Sequence, residues 1–173
     1  MGRRWSPYWT LGAAVLFIGF HIASTPMMGE LNALLGPERI LDARFPRIDR
    51  LLPWTPADAD ATLSTLGTSG RTLYRHYLAV YDMPFAIAIM PLFFFAMLQS
   101  AGYRRAAFLA GVPATADVLE NLSILALLVD YPDGPVVAAA AGPYMTLAKW
   151  LGVVLVIAIC AAGATRALRS EAA

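Results

Sequence analysis

Apolar residues fall along this chain in long unbroken runs, without the alternation of a half-buried strand or the stripe of a soluble amphipathic helix. Residues 5–29 contain no Asp, Glu, Lys or Arg, and neither do residues 83–103. A third run, 106–129, is interrupted only by Asp117 and Glu120, and a fourth, 144–165, only by Lys149. About 20 residues at 1.5 Å each cross the hydrocarbon core of a bilayer, so each run is long enough to span. Backbone amides in lipid must find partners within their own segment, which makes each span a helix. The pattern predicts an all-α polytopic membrane protein, a four-transmembrane-helix bundle in a single membrane domain over residues 1–173. Its spans lie near 7–26, 74–100, 106–129 and 144–165.

The connection between the first two spans, about residues 27–72, reads as a partly helical extracytoplasmic loop. Thr55-Pro56-Ala57-Asp58 has the form of a helix start, with Thr as N-cap, Pro at N1 and an acid at N3 reaching back to the cap. Gly67 is placed to end that helix in a left-handed conformation, with Ser69 as the next cap. Residues 28–35 suit a further short helix stopped by Gly36-Pro37, and residues 44–53 alternate bases with apolar residues, as a chain lying along headgroups would. A cleaved signal peptide is the rival reading of the first span. Its apolar stretch is too long and its cleavage site too poor.

Composition sharpens this picture. The chain is 58% hydrophobic and 14% charged, where a soluble domain is about 45–50% apolar and about 25% charged. Thirteen bases against twelve acids leave a net charge of +1, which excludes a nucleic-acid footprint. The single cysteine, Cys160, cannot form an internal disulfide, and two histidines make a poor zinc set; no metal and no cofactor are expected. Arg3 and Arg4, Arg104 and Arg105, and Arg166 and Arg169 flank the spans on one side, while the turn at 130–134 has no base. The positive-inside rule then places both termini in the cytoplasm of a multi-pass protein of the cell membrane, a bacterial inner membrane. Arg71, Tyr74, Arg75 and His76 read as headgroup contacts at a helix entrance.

The chemistry lies in the polar residues inside the spans. A central Asp or Lys costs about 2.5–3.5 kcal/mol on an insertion scale, so such groups persist when they face one another or a polar cavity. Counting turns places Asp117, Glu120, Asn121, Asp82, Lys149 and His21 in one half of the bilayer, the outer half. Asp117, Glu120 and Asn121 have i, i+3, i+4 spacing and share a helix face; Arg75 and Asp82, seven apart, also share one. Two poorly solvated carboxylates one turn apart cannot both ionise cheaply, which sets an acid beside a base. Asp117 and Glu120 are therefore the candidate catalytic pair, and His21, Asp82, Asn121, Lys149 and Arg75 the candidate ligand-binding groups. Each also has a plain structural role open to it: an interhelical clamp for the acids and Asn121, snorkelling for Lys149, a helix-end hydrogen bond for His21. Pro84, Pro91 and Pro113 can kink their helices and make room for a pocket.

The run Leu66-Gly-x-x-Gly-Arg71, then Tyr74, Asp82-x-Pro84 and Asp117-x-x-Glu120-Asn121, resembles a pattern in small four-helix bacterial integral membrane proteins of no assigned function. The resemblance implies a fold and no chemistry. Three functions fit the residues. The first is an outward-facing intramembrane polar pocket that binds a lipid-like or other hydrophobic small molecule and transforms it by acid/base chemistry. The second is an accessory subunit of a larger membrane complex, with a membrane-protein partner besides the lipid bilayer. The third is proton or ion translocation, for which the inner half offers few polar groups.

Overall fold

The computed structural model describes residues 7–35, 41 and 52–171. All regular elements among them are helical: α1 (Pro7–Leu35), α2 (Pro56–Tyr77), two π-helical turns (Leu78–Asp82 and Phe85–Ile89), α3 (Met90–Ser100), α4 (Ala106–Val129) and α5 (Val136–Glu171). α2, the π turns and α3 run on as one rod of 45 residues, and four rods are long and apolar enough to cross a membrane. The molecule is a four-helix bundle of the multi-pass membrane type.

Boundaries differ from the sequence expectation where apolar pattern and helix propensity part company. α1 continues through 28–35 without a break, because Met28, Leu31, Leu34 and Leu35 extend the helix beyond the bilayer-spanning stretch. α5 likewise starts at Val136, well before 144. The headgroup-lying segment at 44–53, up to residue 51, and the bases Arg3 and Arg4 lie outside the described residues. The start of α2 is capped as its sequence dictates: the Asp58 N–H donates to Thr55 Oγ1 at 3.2 Å, and the Thr55 N–H donates to Asp58 Oδ2 at 2.7 Å. Gly67, with φ of 59°, does break the helix, but the chain resumes helical turns at once. Only glycine holds that backbone cheaply.

Proline shapes the second rod. Pro84 and Pro91 each lack the N–H that an α-turn needs, and each ring crowds the carbonyl one turn back. The π turns lie on both sides of Pro84 and just before Pro91, where a widened turn relieves that crowding. Asp82 ends the first of them.

Two apolar clusters hold the bundle. One gathers Leu31, Leu35, Leu41, Trp54, Leu63, Leu66, Tyr74, Leu78, Ile124 and Leu128 at the end carrying the long connection. The other gathers Met90, Phe94, Leu98, Ala106, Ala110, Ala114 and Val156 toward the opposite end, where α3 turns into α4. Small residues let α5 approach its neighbours closely: a Cβ at Gly152 would lie 3.1 Å from the Pro113 ring of α4, and one at Gly163 would lie 2.8 Å from the Ala101 Cβ in the turn between α3 and α4. Ala110 and Ala114 are buried as their spacing suggests, whereas Ala107 is exposed and Gly111 faces open space. Tyr74 and Tyr77 are buried in the first cluster, so they are core residues and not headgroup anchors. α1 stands apart. It packs on α2, α3 and the Phe85–Ile89 turn, and buries only Ala13, Leu31 and Leu35 among its described side chains.

Candidate functional site

Between the two apolar clusters lies a polar layer. On α4, Asp117, Glu120 and Asn121 fall between Ala114 and Ile124, and their shared face turns into the bundle: they are 3%, 0% and 0% exposed. α5 brings Thr146 and Lys149, the only lysine of the chain, to the same level. The Lys149 ammonium lies 3.1 Å from Asp117 Oδ1 and 2.5 Å from Glu120 Oε2, bridging both carboxylates. At 8% exposure it is drawn inward and does not snorkel.

Glu120 is held from its other side as well. The Thr146 hydroxyl donates to Glu120 Oε1 at 2.5 Å and accepts from the Trp54 indole N–H at 2.9 Å. Trp54 comes from the chain just before α2, yet it is fully buried. Its ring packs against α5 at Gly142, where a Cβ would approach it to 2.5 Å. Glycine at 142 therefore makes the seat, and Thr146, one turn on, supplies the hydrogen bond. The result is a chain of contacts, Trp54 to Thr146 to Glu120 to Lys149 to Asp117, that ties the long connection to the middle of the bundle.

A cavity of about 660 Å³ opens in the gap between α1 and α5. Phe17, Phe20, Phe85, Phe94, Tyr77 and Trp150 give it aromatic walls, and Asp82, Asp117, Lys149 and His21 are among its polar lining. Phe17 of α1 stacks on Phe93 of α3 with ring centroids 4.5 Å apart, and meets Phe85 of the π turn at a tilt, 5.4 Å away. His21 lies on the same stack, 4.5 Å from the Phe17 ring, and its Nδ1 bonds the Phe17 carbonyl at 3.0 Å.

The structure thus brings Asp117, Glu120 and Lys149 into direct contact and places Asp82 and His21 on the cavity that Asp117 and Lys149 also line. Glu120 stands behind that wall. Asn121 sits one turn beyond Asp117, and neither its amide oxygen nor its nitrogen has a hydrogen-bond partner among the described residues. Arg75 does not join them. Its guanidinium reaches back along α2 to Thr72 Oγ1 at 3.4 Å, and a shared face with Asp82 is lost because the π turn at Leu78–Asp82 shifts the register of the helix between them. Arg71 is likewise used structurally: it donates to the Leu63 carbonyl at 2.9 Å and covers the Tyr131 ring at 4.4 Å, pinning the α4–α5 turn.

Two residues of the layer were missed from sequence. Thr146 stands three before Lys149, on the same helix face, a spacing that could have drawn attention to it. Trp54 carries no such sign, since its position depends on a tertiary contact with Gly142. Comparison with known proteins leaves this geometry to speak alone: no family model, no curated protein and no solved structure matches the chain.

Proposed function

We propose that the cavity binds a lipid-like or other hydrophobic small molecule, entering sideways from the outer half of the bilayer, and that the carboxylates act on it by acid/base chemistry. The observation that carries this reading is a cavity with aromatic walls open between α1 and α5, whose wall includes Asp117 and Lys149 of the ion triad. Apolar enclosures with a few convergent polar groups are the usual form of small-molecule sites. Asp117, which lines the cavity, is the group that meets the ligand; Glu120, behind it, communicates through Lys149. A proton shared in this triad is available for transfer without water from either side. An ion pathway fits less well, because the buried face of α4 below Asp117 is Pro113, Ala114, Ala110 and Ala106, with no group to relay a charge.

Filling the cavity tests the proposal. Gly29 lines it, and a side chain there meets no atom within 4 Å, so Gly29→Phe is compatible with the fold and projects a ring into the opening. Binding of an environment-sensitive apolar dye to the detergent-solubilised protein should weaken about tenfold in the variant, as loss of a ring-sized contact surface predicts. Undiminished binding would rule the cavity out. For the chemistry, Asp117→Asn and Glu120→Gln should each abolish turnover of any ligand the protein converts, and turnover unchanged in both would remove their assignment.

A further inference from the structure

The hydrogen-bonding inventory of the cavity wall goes further and bears on what the ligand's polar end must be. His21 Nδ1 faces a carbonyl, which can only accept, so Nδ1 carries the hydrogen; in the neutral ring Nε2 is left with a lone pair. The Ser24 and Thr25 hydroxyls both donate to the His21 carbonyl, at 3.0 and 2.8 Å. Their hydrogens are thereby engaged, and what they offer the cavity is oxygen lone pairs. All three residues line the cavity, as do the carboxyl groups of Asp82 and Asp117. The Lys149 ammonium is held by Asp117 and Glu120, so the wall's cation is already engaged by carboxylates. Asn32, Tyr77 and Trp150 also line the cavity and carry donors, but its charged groups are two acids and a lysine already held by carboxylates.

An acceptor-rich, acidic wall complements a group that only donates and carries positive charge. The aromatic lining adds ring faces that attract a cation in a desolvated site. A phosphate or carboxylate headgroup would meet lone pairs and like charge; an alcohol could use only one donor. We infer that the ligand is an amphiphilic amine, its protonated N–H groups directed at His21, Thr25 and Asp117 and its apolar tail in the gap between α1 and α5. This rests on the reading that the cavity holds an amphiphile, and names the chemistry of its head.

The test uses the full chain in a non-ionic maltoside detergent and three probes that share one dodecyl tail: dodecylamine, dodecanol and dodecanoate. Each is titrated separately and its bound fraction read by native mass spectrometry. Dodecylamine should reach half-occupancy at a concentration about tenfold below that of either other probe, the value of one charge-assisted hydrogen bond. In Gly29→Phe its occupancy should fall with the cavity filled. Dodecanol or dodecanoate binding as tightly as dodecylamine would overturn the inference while leaving the cavity as a hydrophobic site. Dodecylamine occupancy undiminished in Gly29→Phe would overturn it by placing the amine elsewhere. If no probe binds, both the inference and the cavity reading fall.

Discussion

Thr146→Val isolates the contact that joins the long connection to the ion triad. Valine keeps the shape of threonine and removes only the hydroxyl, which accepts from Trp54 and donates to Glu120. Both of those partners are fully buried, so water cannot replace what is lost. A hydrogen bond to a charged group is worth about 1.5–3 kcal/mol net. One between neutral groups in a membrane protein averages only about 0.6 kcal/mol, because unfolded helices in lipid also find partners. Applying the first value to Glu120 and the second to Trp54 gives a loss of about 2–3.5 kcal/mol. The assay is the equilibrium between maltoside-folded and dodecyl-sulfate-unfolded protein, followed by far-ultraviolet circular dichroism. Thr146→Ser keeps the hydroxyl and should stay within about 1 kcal/mol of the parent, the value of one buried methyl. Trp54→Phe combined with Thr146→Val should cost less than the sum of the two single changes, since both remove one bond. A valine variant no less stable than the serine variant, or strictly additive costs, would refute the relay.

Two other outcomes follow from the same layer. Lys149→Met leaves two carboxyl groups facing each other without their shared cation and should destabilise the protein by about 3–5 kcal/mol in the same assay; adding Asp117→Asn and Glu120→Gln should recover most of that, and no recovery would show that Lys149 acts through something other than the acids. Gly152→Val sets branched carbons against the Pro113 ring, already at the limit for a single Cβ, and should cost about 1–3 kcal/mol as overpacking, read as a lowered thermal unfolding midpoint.

The fold was legible because lipid imposes it: residues 83–103 and 106–129 can only be helices if they cross a membrane. Asp117 and Glu120 were legible as groups needing a polar partner for the same reason, since a charge inside a span must be met, whereas Lys149 also had snorkelling open to it. What pattern could not show was register after a perturbation. Arg75 and Asp82 share a face only on an ideal helix, and the widened turn at Leu78–Asp82 between them rotates one away from the other. Tyr74 looked like a headgroup contact because composition cannot distinguish a ring facing headgroups from one packed with Leu31 and Ile124. Trp54 was hidden more deeply, because its place depends on a glycine almost ninety residues away and on no local signal.

The sparse anchoring of α1 has a consequence for selectivity. Of the cavity's charged groups, Asp117 and Lys149 stand on α4 and α5, whose close contact at Pro113 and Gly152 fixes their spacing. The opposite wall is one helix with three buried side chains, and moving it outward uncovers little core. On the proposed reading, α1 can shift to admit tails of differing girth while the Asp117–Lys149 spacing stays fixed, so a set of compounds with one amine head and chains of differing bulk should be accepted alike.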